Sequence, residues 1–187
     1  MSPPTVADPL AGLGGSVSDV PDGSEALALS LAVLIAKQPF FKGLNAQQLQ
    51  LLAASALEMK FETGAIIFEE GSPANRFFLI LAGRVELSSE MADRNVIPIE
   101  TLGSGADLGW SWLFPPYSMH FTARALEPTN TIFFYGTRLR EQCEQDHELG
   151  YQLMKRIAEV ATQSLRVTQR RLMQYIDQNI PEQPSRS

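Results

Sequence analysis

After Glu58 the apolar residues of this chain stop recurring at helical spacing and begin to come in short runs. Ala65–Phe68, Phe77–Leu81, Val85–Leu87, Val96–Thr101 and Thr131–Tyr135 are rich in β-formers, and Gly, Pro, Asn and Asp separate them every eight to twelve residues. These runs predict an antiparallel sandwich or barrel, with Gly64, Gly71, Gly83, Gly103, Gly105 and Gly109 at the turns.

Helical patterns flank this block. Asn45 with Gln48 three residues later forms a capping-box pattern, and Leu44 and Leu49 stand at the positions of a hydrophobic staple. Leu49, Leu52, Ala53, Ala56 and Leu57 then fall on one helical face. Upstream, Ser24 offers an N-cap to EALALSLAVLIAKQ, whose apolar arc is too wide for an exposed helix and predicts docking on the domain. Downstream, a short helix from Thr137 to about Gln145 leads into a long one from His147 to about Ile176, about 45 Å at 1.5 Å per residue.

Two stripes run along the long helix. Leu149, Leu153, Ile157 and Val160 suit packing on the β domain. Met154, Ala158, Ala161, Leu165, Thr168, Leu172 and Tyr175 step by four and three, the spacing of a coiled-coil seam. An exposed seam favours aggregation unless covered, so a homodimer is expected through Ala161, Leu165, Thr168, Leu172 and Tyr175. The other way to cover it is with the chain's own first helix.

At 187 residues and 44% hydrophobic, the chain has material for one substantial core. Residues 1–23 hold four prolines and four glycines and are expected to be a disordered tail. The organisation expected is thus that tail, a docking helix over 24–38, the β domain with its first helices over 39–146, a dimerisation helix over 147–178 and a tail over 179–187. A net charge of −6 argues against broad contact with nucleic-acid phosphates or an anionic membrane. The most apolar run, Ala26–Ala36, is too short to span a bilayer, and nothing basic precedes it, so neither membrane insertion nor a signal peptide is expected. Cys143 is the single cysteine, which precludes an internal disulfide and suits a reducing, cytoplasmic setting. His120 and His147 have no companions at metal-ligand spacing, and the carboxylates offer no evident acid–base pair, so neither a metal site, a catalytic residue nor an enzyme is expected.

The order of these elements resembles a cyclic-nucleotide-binding domain of the catabolite-activator type, over roughly Pro39 to Asp177. PFFKGLNAQQLQLLA resembles that family's first helix, and FETGAIIFEEGSPANRFFLILAGRVEL its glycine-punctuated strands. LGSGADLGWSWLF resembles the approach to its phosphate-binding cassette, and SLRVTQRRL the ligand-facing part of its dimer helix. The fold implied is α+β: an antiparallel β jelly-roll barrel flanked by N-terminal helices and a long C-terminal dimerisation helix. The function implied is a bacterial regulatory module and ligand sensor.

In the family, a glycine–glutamate pair opens the cassette, and the glutamate takes the ribose hydroxyl. The glycine falls on Gly109 and the glutamate on Trp110, whose indole can only donate. The family's phosphate-binding arginine and adjacent hydroxyl residue fall on Met119 and His120. A buried charge left without its partner costs about 3–5 kcal/mol, a weakening on the order of 10²–10³. What remains is the turn after Gly109 with its free amides, His120 as a donor when protonated, and Thr168 at the family's adenine-contacting position. Thr168 is equally a polar residue tolerated in the seam. Trp110, Trp112, Phe114 and Tyr117 either fill the pocket as core or line a site for a less polar ligand. The resemblance thus leaves two expectations: a regulatory or interaction module with a degenerate site and no cofactor, or a cyclic-nucleotide receptor with an unusual site. Only about ten residues, QNIPEQPSRS, follow the long helix, too few for a DNA-reading motif, so the expected receiver of any signal is another protein and not DNA.

Overall fold

The structure, a computed structural model, describes residues 23–91 and 94–179. The two expected tails lie outside the described residues apart from Gly23 and Asn179. Helix α1 (Gly23–Ala36) leads through a 3-10 turn (Pro39–Phe41) to α2 (Ala46–Ala53). Eight strands follow: β1 (Ala56–Phe61), β2 (Ile66–Phe68), β3 (Arg76–Ala82), β4 (Val85–Glu90), β5 (Val96–Leu102), β6 (Asp107–Leu108), β7 (Thr122–Ala125) and β8 (Thr129–Tyr135). Helices α3 (Gly136–Gln145) and α4 (His147–Asn179) close the chain.

The strands form two antiparallel sheets, ordered β1-β8-β3-β6 and β2-β7-β4-β5. No ladder joins the two among the described residues, so of the sandwich and barrel expected from sequence the structure adopts two open sheets. Strand β3 explains how they are held together. Its run RFFLILA is apolar on both faces, as a strand covered on both sides must be. Phe77 and Leu79 pack with the helices, in a core that includes Leu31, Ile35, Phe41, Leu52, Phe134, Leu139, Leu149, Leu153 and Ile157. Phe78 and Ile80 pack on the other face, in a core that joins the sheets through Ile67, Phe68, Val85, Leu87, Ala123 and Phe133.

The caps follow the sequence. Gln48 N–H donates to Asn45 Oδ1 at 2.9 Å, and Asn45 N–H donates to Gln48 Oε1 at 3.1 Å, completing the capping box of α2. Asp146 Oδ1 caps α4 by accepting from Leu149 N–H at 3.0 Å, and Gln48 Nε2 donates to its other oxygen at 3.2 Å. These bonds hold the Asp146 carboxyl below its ordinary pKa. α1 docks on the domain, burying Leu31 and Ile35. Its first residue is Gly23, so Ser24 lies inside the helix and not at its cap.

The α2 boundary differs from expectation. Helical spacing carries the α2 stripe on to Ala56 and Leu57, but these two residues open β1, paired with Phe134 and Phe133. The helix ends because Ser55 turns the chain back, its N–H and Oγ–H both donating to Leu52 C=O. Leu57 then faces solvent at 49% exposure while Ala56 is buried, the alternation of a strand.

Candidate functional site

β6 is only two residues long because the chain must turn sharply after Leu108. Gly109 makes that turn with φ +81°, and an added Cβ would stand 2.5 Å from Arg76 C=O and 3.3 Å from Met119 Cε. Only glycine fits both the conformation and the space. A 3-10 turn, Trp110–Leu113, follows, and its two tryptophans go to opposite environments. Trp112 is fully buried among Phe77 and the helix-side core, its ring centroid 6.2 Å from that of Phe77. Gly136 gives it room, since a Cβ there would meet Trp112 Cβ at 2.8 Å. Arg140 donates to Trp112 C=O and places its guanidinium 4.7 Å from the Tyr117 ring centroid, so the turn is pinned to α3.

Trp110 is half-buried and lines a cavity of about 290 Å³ between β5, β6 and the Met119–Phe121 segment, with α4 above it. The volume is at the lower edge of what encloses a drug-sized molecule. Apolar walls come from Phe68, Leu87, Leu108, Met119, Phe121 and Val160. Trp110 stacks on His120, with ring centroids 5.1 Å apart. Ser111 Oγ and His120 Nδ1 share a hydrogen bond of 2.8 Å, which satisfies the buried serine. Four of the five pocket residues expected from sequence, Gly109, Trp110, Met119 and His120, therefore meet at one cavity. Thr168 is not among its lining residues; Gln163 and Ser164, about one turn earlier on α4, are.

The charged lining was not evident in the sequence. Asp107, Glu100 and Glu159 contribute three carboxylates, and no Arg or Lys lines the cavity among the described residues. Glu159 is paired with Arg156 at 3.5 Å. Burial raises the Glu100 carboxyl above its ordinary pKa, with Arg170 opposing. Asp107 is half-buried as a residue, but its Oδ2 is enclosed and has no hydrogen-bond partner. Burial pushes its carboxyl up to about 7, against a bond from its own backbone amide and with help from Glu100. Spacing gives no hint of this state, because the burial that raises Asp107 arises only in the folded chain.

The α4 stripes separate as their spacing implies. Leu149, Leu153 and Ile157 are buried and Val160 is half-buried. Of the second stripe, Leu165 and Leu172 are 58% and 57% exposed, Met154 is also exposed, and Ala161, Thr168 and Tyr175 are half-buried. α1 packs elsewhere, in the helix-side core, so it does not cover the distal seam. Arg171 Nε donates to Ile99 C=O at 3.1 Å and Arg170 Nε to Arg166 C=O, so two of the three clustered arginines are engaged within the chain. Arg124 donates to Gly64 C=O at 2.9 Å on the outer face, away from the pocket. Among the described residues, no group of three or more His, Cys, Asp or Glu is placed to hold a metal, and no helix is long and apolar enough to cross a membrane.

Residues 58–146 match the cyclic nucleotide-binding domain family. A candidate cyclic nucleotide-binding protein of Geobacter metallireducens GS-15 is 34% identical, with a TM-score of 0.64 over 73% of this chain and 98% of its own. The chain belongs to the cyclic nucleotide-binding domain family. A CRP-like cAMP-activated global transcriptional regulator of Mycobacterium tuberculosis is 22% identical over 148 residues, 79% of this chain; the chain spans only 64% of that relative's length. The regulatory subunit of a cAMP-independent protein kinase A from Trypanosoma cruzi, bound to guanosine, shares the fold at a TM-score of 0.64 and 18% identity, over 87% of this chain and 55% of its own. These members of the cyclic nucleotide-binding family are regulators or binding domains.

Proposed function

We propose that this chain is a dimeric regulatory or protein-interaction module of the cyclic nucleotide-binding family whose pocket has lost the means to hold a cyclic phosphate. The observation that carries this reading is the chemistry of the cavity: carboxylates at Glu100, Asp107 and Glu159, with no arginine or lysine in the lining among the described residues. Met119 sits where the family's phosphate-binding arginine is expected, with its methyl group close against Gly109. A phosphate brought there meets no fixed counter-charge in the lining, a loss of several kcal/mol. Trp110, in the place of the family's ribose-binding glutamate, presents no acceptor. The Trypanosoma cruzi protein carries guanosine, a nucleoside with no phosphate, so a fold of this kind also accommodates an uncharged ligand.

The exposed Leu165 and Leu172, with Ala161, Thr168 and Tyr175 beside them, support dimerisation through α4. A coupled pair of α4 helices would carry a change at the cavity, which Val160, Gln163 and Ser164 line, to the dimer seam and on to a protein receiver.

A second reading, a working cyclic-nucleotide receptor, is favoured by one observation: the cavity is open, with Gly109 and His120 at its wall. Calorimetric titration with cyclic AMP and cyclic GMP decides between the two. The first reading expects no saturation at micromolar ligand, and tight saturable binding of either nucleotide overturns it.

A further inference from the structure

We propose that the cavity beneath α4 is a site for a small organic amine, its ammonium group pairing with the Asp107 carboxylate and its apolar body lying against Phe68, Met119, Phe121 and Val160. This deepens the functional reading above and rests on it, since a site adapted to cyclic phosphate has no place for a cation. Three independent features of the site converge on the same ligand chemistry.

The first is the unpartnered acid. Buried carboxylates are as a rule hydrogen-bonded or paired, and an enclosed oxygen with no partner costs free energy that a native fold retains only for a reason. Asp107 lines the cavity, and its Oδ2 has no partner among the described residues. The second is the sign of the surroundings. Glu100 and Glu159 add carboxylates at the same wall, the facing Arg170 and Arg156 sit beside those two outside the lining, and among the described residues His120 is the only lining side chain able to carry positive charge. The lining itself thus offers carboxylates to a cation and no fixed positive charge to an anion. The third is the apolar and aromatic remainder. Leu87, Leu108 and the wall residues named above offer a hydrocarbon surface, and Trp110 offers a ring edge or face to a cation.

The pairing carries a proton signature. Burial holds much of Asp107 protonated near neutral pH, and an ammonium group beside it favours the carboxylate. An amine that arrives already protonated therefore drives the Asp107 proton into the buffer. Glu100, Glu159 and His120 face the same space, and Arg170 and Arg156 face the two glutamates, so the test must isolate Asp107 by substitution.

The probes are 2-phenylethylamine and its uncharged analogue 2-phenylethanol, titrated against the whole chain at pH 7 with tryptophan fluorescence, because Trp110 lines the cavity. The amine is expected to bind at least tenfold more tightly than the alcohol. Calorimetry in two buffers of different ionisation enthalpy is expected to show proton release for the amine alone. Asp107→Asn is expected to remove both the preference and the released proton while leaving the alcohol unchanged. Equal binding of amine and alcohol, or amine binding by wild type with no proton released, overturns the proposal whether or not the variant folds. Guanosine saturating the site where neither probe does overturns it too. Cyclic AMP run in parallel keeps the two readings apart: tight cyclic AMP binding overturns the functional reading, whereas failure of the amine with no cyclic AMP binding overturns this inference alone.

Discussion

Trp110 lies stacked on His120, the ring planes inclined by 28° and the centroids 5.1 Å apart. The two rings stand together at one side of the cavity, and the hydrogen bond shared by His120 Nδ1 and Ser111 Oγ fixes the orientation of the imidazole ring. Two residues on, Trp112 meets Phe77 edge to face inside the domain and has no exposure; it is core. The Gly109 turn thus sends one tryptophan into the scaffold and presents the other to whatever enters the pocket.

That division predicts unequal costs. Trp112→Ala empties a fully buried site and should destabilise the domain by about 3–5 kcal/mol. Trp110→Ala removes a half-buried ring from a cavity wall and should cost about 1–2 kcal/mol, mostly from the lost stacking. Denaturant unfolding of the two variants checks this, and equal losses would mean that the whole turn is a single packed unit.

Asp107 gives the fold a pH dependence whose sign can be worked out. Its carboxyl is raised to about 7 in the folded chain against an ordinary value near 4, so between these values the folded state holds a proton that the unfolded state has released. Stability must therefore be highest below about pH 4 as far as this group is concerned, fall as pH rises, and level off above about pH 7. Three pKa units correspond to roughly 4 kcal/mol. Asp107→Asn cannot ionise and should flatten that slope. Urea midpoints at pH 5 and pH 8 provide the measurement, and wild type and variant falling in parallel would assign the slope to other groups.

Local signals made much of the scaffold legible. The Asn45–Gln48 capping box, the two-faced apolar run of β3 and the Leu149–Leu153–Ile157 stripe each specify their element through neighbours in sequence, and the structure has them there. Ala56 and Leu57 continue the helical spacing of α2, whereas the Ser55 turn and pairing with β8, more than seventy residues away, make them strand. The cavity was half legible. Gly109, Trp110, Met119 and His120 come from one continuous stretch, but Asp107 draws its unusual state from burial in the folded chain, and Ser164 comes from a helix distant in sequence. Contacts made only by the folded chain leave no periodicity to read.

Cys143 offers a check on the α3–α4 junction. Burial, together with the carboxylates of Asp146 and Glu144, pushes its thiol up to about 11. At pH 8 roughly one thiol in a thousand is then ionised, so alkylation by iodoacetamide should run on the order of a hundredfold slower than for an unperturbed cysteine. A rate matching the unfolded chain would show that the junction opens readily in solution.

The α4 seam carries a prediction about assembly. Leu165 and Leu172 are more than half exposed in a single copy, an apolar surface that a partner helix would cover. Aspartate at both positions places two charges where a second copy's α4 would have to bury them, at several kcal/mol each. Light scattering is expected to report a dimer for wild type and a monomer for Leu165→Asp with Leu172→Asp, while Leu149 and Leu153, on the other face, keep the fold intact. A wild-type monomer overturns the dimeric reading, and a doubly substituted dimer places the interface elsewhere.

The cavity can also be pushed back toward its family's chemistry. Met119→Arg alone should raise affinity for cyclic AMP by less than tenfold, because Trp110 still occupies the ribose side and the new guanidinium has Asp107 and Glu100 nearby to pair with instead of the ligand. Trp110→Glu with Met119→Arg supplies both anchors and frees the space held by the indole ring. With about 3–5 kcal/mol restored at the phosphate, offset in part by a further carboxylate in an acidic pocket, a gain of tenfold or more is expected for the pair. Asp107→Asn added to that pair should raise affinity again, since it removes the like charge that competes for the arginine. Calorimetry across the four proteins orders them; full recovery from Met119→Arg alone would show that the indole ring, for all its bulk, is no obstacle to the ribose.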